Sequence, residues 1–462
     1  MSLLNIDKIM KSQYAFSKPI DFTEISYIKG VQLQKLLWLD NYKDAIHEAL
    51  NDVSYLKNKT EIMHLTCDLF PGGVYIPYSM NLDDMINETN KHILKGTKYI
   101  YGATFYYDGI LVVIDILEVT KKKIHIYEVC SHNKIHDMNI EAMSLQYYVL
   151  TELGYKIKGC SIVHINDDYV RGSSLDADKL FSISCVKSEV LYLQRKIPKN
   201  LNLFKTTLKE NIQISCNENN QNKIPEKSIF QLFKLGSQKQ RQLYSKGIFD
   251  IKKIPDNFSL TTTQQTIVDV YKSNKIFADR TKIKEFLNNL TYPIYHLSIC
   301  SYSSEIPEFE DVRPYQDIPF KFSLDIEQKD GSIEHRECSC DNLDDPRYEV
   351  AKLLCENIPL DVTTLVYDKV IVDKLIRTLA TPYNARTVPL MNIVKNLKDL
   401  SLPFQKNHYI SPLQNLRDDF KSVSLALLPE LEKEEKQKLL AGDCNFNTIA
   451  SIKILEVLKK YS

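Results

Sequence analysis

The sequence "YIYGATFYYDGILVVIDILEV" (residues 99–119) is followed by a lysine-rich turn and then by "IHIYEVCS" (residues 124–131). Runs rich in β-branched and aromatic residues, broken by Asp108-Gly109 and by the lysine-rich turn, predict three consecutive antiparallel strands. Asp115 and Glu128 lie on the second and third of these strands. Because residues on neighbouring strands of a hairpin can face each other, these two carboxylates can lie close together.

The surrounding sequence places this hairpin in an α/β unit. Residues 31–50, "VQLQKLLWLDNYKDAIHEAL", have apolar residues at helical spacing, and residues 137–154, "DMNIEAMSLQYYVLTELG", predict a second helix that ends at glycine. Residues 156–166, "KIKGCSIVHIN", then return as a strand. The first segment, to about residue 190, is therefore predicted to have an α/β core with a curled sheet.

Composition limits the class of protein only broadly. A chain of 462 residues with 44% hydrophobic residues is long enough for two or three domains, and 59 basic residues balance 59 acidic ones. No apolar run is long enough to cross a bilayer, and the start lacks the features of a signal peptide, so we expect a cytoplasmic protein. The ten cysteines form no CxxC pair, which predicts reduced thiols rather than a disulfide framework.

Residues 186–253 are locally basic, with 14 Lys and Arg residues against 5 acidic ones. Within them, residues 228–248, "SIFQLFKLGSQKQRQLYSKGI", predict a helix that closes at Gly247. Such a connector is suited to contacting a phosphate backbone, and it is equally typical of a solvated helix face. The candidate nucleic-acid contacts are Arg195, Lys196, Lys199, Lys205, Lys209, Lys239 and Arg241.

A second globular unit begins near residue 285. Strand patterns at 293–300, 319–327 and 333–338 predict an antiparallel meander, with Asp330-Gly331 as a tight turn. Helix and strand patterns then alternate, and the tail from residue 415 is helical.

Asp115 and Glu128 are also candidate metal ligands for the active site of a metal-dependent phosphodiesterase. One Mg²⁺ or Mn²⁺ ion between two facing carboxylates is geometrically reasonable, and the alternative is a pair of solvent-facing hairpin charges. A third, positively charged group is missing, because the Cys130 thiol is neutral near pH 7 unless strongly perturbed. Lys134 could reach in from a neighbouring position, and Gln146 on the following helix could contact phosphate.

The order of several motifs carries a family resemblance. The stretches are "GVQLQKLLWL", "LFPGGV", "IDILEV", "YEVCS", "QYYVL" and "HINDDYVRG", followed by "SIFQLFKL", "YPIYHL", "IPEFEDVRPYQDIPFKFSL", "DDPR", "LVYD" and "SVSLALLPEL". The chain resembles a bacterial two-domain nuclease family, described only as a domain of unknown function. In that family a RecB-like PD-(D/E)XK domain with an iron-sulfur cluster precedes a DnaQ-like exonuclease domain.

This resemblance implies an α/β (α+β) chain in three parts. A RecB-like PD-(D/E)XK domain would occupy residues 1–190, and a basic, mostly helical connector would occupy residues 191–284. An RNase H-like (DnaQ-like) exonuclease fold with a helical tail would occupy residues 285–462.

The resemblance also implies that most of the first catalytic site is lost. Asp115 and Glu128 match two catalytic positions, whereas Gly102 stands where the family has Glu and Cys130 stands where it has Lys. The cluster cysteines would fall at Leu33 and in the loop of residues 216–229, where Cys216 is the one remaining cysteine. Since such a cluster needs four thiolates, we expect no iron-sulfur centre.

The second site has lost more of its expected carboxylates. Ser298 and Cys300 occupy the positions of an Asp-x-Glu motif on the first strand, and Val372 occupies the position of a further acid. Asp368 lies near that position, and Asp399 matches the family's later aspartate. One matching carboxylate cannot assemble a two-metal site.

These losses predict a pseudonuclease that keeps the nuclease fold and binds nucleic acid, with DNA favoured, or a partner that processes nucleic acid. One alternative is an active Mg²⁺- or Mn²⁺-dependent DNA nuclease with a site rebuilt from Asp115, Glu128 and Lys134. Another is a regulatory subunit that binds a protein and no nucleic acid. The prediction includes no cofactor unless the first site is active, and no membrane partner.

Overall fold

The structure is a computed structural model, and it describes residues 22–24, 27, 28, 31, 53–77, 81–121, 123–209, 227–340, 345–381 and 386–462. These form two compact units, Met1–Lys223 with Ser304–Tyr315, and Ile224–Ser303 with Gln316–Ser462. The residues predicted as a connector are therefore divided between the two units. Most of the helix predicted at residues 31–50, including Leu33, lies outside the described residues, as does Cys216.

The first unit is built on a mixed seven-stranded sheet in the order β2-β3-β4-β5-β6-β7, with β1 paired parallel to β4. The ladders β3-β4-β5 are antiparallel, β5-β6 is parallel and β6-β7 is antiparallel. The strands are β1 (Phe22–Thr23), β2 (Val74–Tyr75), β3 (Tyr99–Tyr107), β4 (Ile110–Val119), β5 (Ile124–Val129), β6 (Ile157–Ile165) and β7 (Phe181–Cys185).

The predicted three-stranded meander is confirmed, and its first turn shows why. Tyr107 pairs with Ile110, so the turn between β3 and β4 contains two residues, Asp108 (φ 45°) and Gly109 (φ 81°). A two-residue turn with positive φ at both positions matches the right-handed twist of the strands, and Asp-Gly is a preferred sequence for it. This turn fixes the register of β4 and thereby the side of the sheet on which Asp115 lies.

Helices cover the sheet of the first unit. The helices among its described residues are α1 (Val53–Asp68), α2 (Leu82–Leu94), α3 (Asp137–Glu152), α4 (Ala177–Leu180), α5 (Lys187–Leu193) and α6 (Ile197–Lys209). α3 confirms the helix predicted at 137–154 and buries Met143, Leu145 and Val149 against apolar residues of β3 to β6. This packing holds α3 over the part of the sheet that carries Asp115 and Glu128.

Residues Ser304–Tyr315 belong to the first unit although the residues on both sides of them, up to Ser303 and from Gln316, belong to the second. Their backbone pairs with Arg171, whose N–H donates to the Val312 carbonyl at 3.0 Å and whose carbonyl accepts from Asp311 N–H at 2.8 Å. Ile306 packs against the apolar cluster that contains Val129. This segment therefore packs with the first unit, whereas the domain bounds of residues 285–462 stay a prediction.

The second unit contains a five-stranded sheet in the order β11-β10-β9-β12-β13 and a two-stranded sheet, β14-β8. The meander β9-β10-β11 confirms the three strands predicted from residue 293, and β12 and β13 add parallel pairs. The strands are β8 (Phe277–Ala278), β9 (Ile294–Tyr302), β10 (Ile318–Glu327), β11 (Ile333–Ser339), β12 (Thr363–Val366), β13 (Leu397–Asp399) and β14 (Tyr409–Ile410).

The helices of the second unit pack on both faces of its larger sheet. A 3₁₀ turn spans Ile251–Lys253, and the helices are α7 (Ser237–Tyr244), α8 (Thr262–Ser273), α9 (Arg280–Asn288), α10 (Arg347–Asn357), α11 (Lys369–Ala380), α12 (Thr387–Asn396), α13 (Leu402–Gln405), α14 (Phe420–Leu427), α15 (Lys433–Ala441) and α16 (Cys444–Lys459). Leu297 of β9 packs with α10, α11 and α12. On the other face, His296 and Ser298 bond to side chains of α16.

The helix predicted at residues 228–248 is wrong in its first half. Residues 229–234 form turns and a bend, and α7 begins at Ser237. Lys234 adopts φ 51°, which a helix cannot contain, and Gly236 starts the new helix from an extended conformation.

Candidate functional site

Asp115 and Glu128 are brought together at the centre of the first unit. The antiparallel ladder of β4 and β5 pairs Ile116 with Tyr127, and continuing that register by one step places Asp115 opposite Glu128. Asp115 is 0% exposed and Glu128 is 6% exposed. The Val129 N–H donates to Asp115 Oδ2 at 2.9 Å. These carboxylates are therefore buried groups, not solvent-facing hairpin charges.

Gln146 joins this pair from α3. Its Nε2 donates to Glu128 Oε2 at 2.7 Å, and the side chain is fully buried. Its Oε1 is buried and has no hydrogen-bond partner among the described residues. The structure therefore places three of the four predicted first-site residues in one buried cluster.

Glu24 completes the cluster, and the sequence analysis missed it. It is 2% exposed, and its Oε1 accepts a hydrogen bond from Val113 N–H at 3.3 Å. Burial, followed by the charges of Glu128 and Asp115, raises the pKa of Glu24 well above its usual range. β1 positions Glu24 beside β4. Phe22 pairs with Ile110 and Thr23 with Leu111 in parallel register, and Glu24 is the next residue. A strand of only two residues leaves no periodic pattern in the sequence, so Glu24 could not be predicted from it.

Cys130 and Gly102 stand where the resemblance implies a lysine and a glutamate, and the structure shows the surroundings of both. Cys130 is 4% exposed and packs in the main apolar cluster of the unit, and its Sγ accepts from His132 N–H at 3.4 Å. Gly102 has φ 72°, a conformation that a glutamate rarely adopts.

Lys134 does not join the carboxylates. It is exposed, and it forms no hydrogen bond or ion pair with any residue that the structure describes. Lys134 therefore does not offset the charge of these three carboxylates, which repel one another when all three are ionised.

The described residues of the cluster are not arranged to hold a divalent metal ion. Across the described ranges, no group of three or more His, Cys, Asp and Glu residues is arranged to hold one. One oxygen of Glu128 is bonded to Gln146, and one oxygen of Asp115 is bonded to a backbone N–H. Hydrolysis of a phosphodiester by this kind of site needs an ion that polarises the phosphate or activates water, so no such step follows from this arrangement.

In the second unit, Ser298 and Cys300, which the resemblance aligns with an Asp-x-Glu motif, bond to α16. Cys300 forms a disulfide with Cys444, the first residue of that helix, and Ser298 Oγ accepts from Asn447 Nδ2 at 3.3 Å. The prediction of ten reduced thiols is wrong for this cysteine pair. Two cysteines 144 residues apart carry no sequence signal of pairing, because only the packing of α16 on β9 brings them together.

The predicted acidic residues of the second site, Asp399 and Asp368, accept hydrogen bonds from backbone N–H groups. Asp399 is 8% exposed, and its Oδ1 accepts from Ser401 N–H at 2.9 Å, Ser401 Oγ–H at 2.6 Å and Asp368 N–H at 3.2 Å. Asp368 caps the start of α11 by accepting from Ile371 N–H. Val372 is 6% exposed and packs in an apolar cluster. This arrangement stabilises turns and a helix start.

The predicted basic contacts are divided between the two units. In the first unit, Arg195, Lys196 and Lys199 are exposed around the start of α6, whereas Lys205 forms an ion pair with Asp108 at 2.7 Å. The side chain of Lys209 lies outside the described residues. In the second unit, Lys239 Nζ donates to the Ser259 carbonyl at 2.6 Å, and Arg241 is exposed.

The fold and these sites define a mixed α/β protein with two compact units, each with polar or charged groups buried near its sheet. Residues 295–416, from β9 to the loop after β14, match a family described as "Domain of unknown function (DUF2779)". No curated protein matches the chain. In the part of the chain that the structure describes, every helix is too short or too polar to cross a membrane.

Proposed function

We propose that this chain is a nuclease-like protein that has lost phosphodiester hydrolysis and acts by binding nucleic acid. The observation that carries the proposal is the state of the first site. Its carboxylates are buried and bonded to a glutamine and to backbone N–H groups, and the position of the required lysine is filled by a buried cysteine. The resemblance to RecB-like and DnaQ-like nucleases is part of this proposal.

The binding half of the proposal is supported by exposed basic residues. Arg195, Lys196 and Lys199 are exposed at the junction of α5 and α6, and among the described residues none of them forms an ion pair. Lys196 Nζ lies 5.2 Å from the centre of the exposed Tyr192 ring. Unpaired cations beside an aromatic ring suit a sugar-phosphate chain with stackable bases.

The test is the salt dependence of nucleic-acid binding. Single-stranded and double-stranded DNA and RNA are titrated with the full chain over a range of salt, and affinity should fall steeply as salt rises. Replacing the three exposed cations at the junction of α5 and α6, Arg195, Lys196 and Lys199, with alanine should reduce the slope of log affinity against log salt by about 2 to 3. A matched control removes three cations of α15: Lys433, Lys436 and Lys438.

Each outcome decides between the alternatives. No retention at low salt would overturn nucleic-acid binding and would favour a subunit that binds a protein instead. Cleavage of any of these substrates with Mg²⁺ or Mn²⁺ that disappears in Asp115→Ala would overturn the loss of catalysis and favour the rebuilt site. Intact substrates with salt-dependent binding support the proposal.

A further inference from the structure

A small cavity lies in the second unit. Its volume is about 110 Å³. Residues of α8, α13 and β14 line the cavity. The turn after α13 and the loops that contain Phe233 and Leu416 complete its walls. Drug-sized ligands need cavities of about 300 Å³ or more, so this cavity suits a single small ring system.

Aromatic side chains form the walls of the cavity. Tyr271, Phe404 and Tyr409 are buried around it, whereas Phe233 at its edge is 43% exposed. The rings of Phe404 and Tyr409 are 5.8 Å apart in an edge-to-face arrangement. An exposed phenylalanine beside buried rings offers a flat face on which a planar group can stack.

Amide and guanidinium groups surround the same opening. Gln405, Asn407 and Arg417 line the cavity, and their side chains form no hydrogen bond with the residues that the structure describes. An amide offers both donors and an acceptor, which matches the edge of a nucleobase. The guanidinium of Arg417 can bind phosphate or stack on a base.

The backbone around the cavity is held in an unusual conformation. Asn407 (φ 56°) and Leu416 (φ 57°) line the cavity, and Lys234 (φ 51°) is adjacent to Phe233. A left-handed conformation is costly for leucine and lysine, and such residues cluster at ligand sites where the surrounding structure holds them. Lys234 Nζ lies 4.7 Å from the centre of the Phe233 ring, which adds a cation beside the stacking face.

We infer that this cavity binds one unpaired base of a single-stranded nucleic acid, with Phe233 stacking on the base and Arg417 contacting the chain beside it. This inference rests on the proposed nucleic-acid binding and names a site for it in the second unit. A base in a duplex is already stacked and paired, so the site selects single strands.

The experiment measures the affinity of the full chain for a fluorescein-labelled oligothymidylate at low salt by fluorescence anisotropy. Phe233→Ala and Arg417→Ala change exposed side chains and should leave the fold intact. Because one stacked base contributes about 1–3 kcal/mol, Phe233→Ala should weaken binding by about 5- to 150-fold. Phe277→Ala and Arg280→Ala are matched controls, since both residues are exposed in the same unit and lie outside the cavity.

The outcomes separate this inference from the proposal on which it rests. Loss of affinity in the cavity variants, with unchanged controls and weaker binding of a duplex, supports the base site. Wild-type affinity in both cavity variants overturns the base site and leaves the proposed function standing, with the cavity then open to a protein side chain. Absence of binding by the wild-type chain overturns both. Photocrosslinking of a 5-iodouracil oligonucleotide to the Phe233 peptide gives an independent readout.

Discussion

Replacing Glu327 with glutamine should destabilise the second unit at neutral pH, and the effect should fade in acid. Glu327 is 6% exposed. Its Oε2 lies 3.0 Å from His296 Nε2, and its Oε1 accepts from Lys459 Nζ at 2.8 Å. His296 in turn contacts Ser451 Oγ at 2.9 Å. This network joins β9 and β10 to both halves of α16.

The size of the effect follows from the pKa of Glu327. Burial alone would raise it, but the hydrogen bonds from His296 and Lys459, together with the charges of those residues, lower it from 4.5 to about 2. That difference corresponds to about 3 kcal/mol of stability at neutral pH, since a tenfold change in acidity is equivalent to about 1.4 kcal/mol. Because the amide keeps part of the hydrogen bonding, we expect Glu327→Gln to cost about 2 kcal/mol.

The contribution of Glu327 to the stability of the second unit should decrease as the pH falls. A carboxyl whose pKa is lowered in the folded state stabilises the fold above its unfolded pKa, and this stabilisation is lost as pH falls from about 4.5 through about 2. Urea unfolding at neutral pH and at the lowest pH where the chain stays folded measures it. Hydrogen exchange in peptides of β10 and α16 assigns the transition to the second unit.

Glu434→Gln is the matched control. Glu434 is exposed in the same unit and pairs with Lys438 at 3.0 Å across one helix turn, so its loss should cost no more than about 0.5 kcal/mol. If Glu327→Gln destabilises the unit equally at both pH values, or no more than Glu434→Gln does, the assigned role of the network is wrong.

Two further changes test the candidate sites. Glu24→Gln should stabilise the first unit increasingly as pH rises above about 4.5, because a buried carboxyl with a raised pKa disfavours folding once the unfolded chain ionises. Melting temperatures at pH 4 and pH 8 measure this gain, with exposed Glu61→Gln as control. A gain that does not depend on pH would contradict the raised pKa of Glu24. Cys444→Ser should destabilise the second unit by up to about 5 kcal/mol, because it removes a crosslink that spans 144 residues and restricts the unfolded chain. Urea unfolding should show this loss without reductant and no loss with reductant. Cys185→Ser, which changes an exposed free thiol, should have no effect in either condition.

The sequence alone predicted the parts of the fold that depend on local patterns. The Asp108-Gly109 turn set the register of β3 against β4. The short lysine-rich turn set the register of β4 against β5, which places Asp115 opposite Glu128. The strands from residue 293 were predicted for the same reason. Local periodicity determines which face a side chain takes, so a pair joined by a short hairpin can be read directly from the sequence.

Only the tertiary structure decided which distant residues share a site. Glu24 reaches the carboxylates through a two-residue parallel pairing, and residues Ser304–Tyr315 pack in the first unit by hydrogen bonds to Arg171. Cys300 and Cys444 meet because α16 packs on β9. Contacts over such separations depend on the balance between chain entropy and the packing of whole elements, and no local spacing in the sequence records that balance.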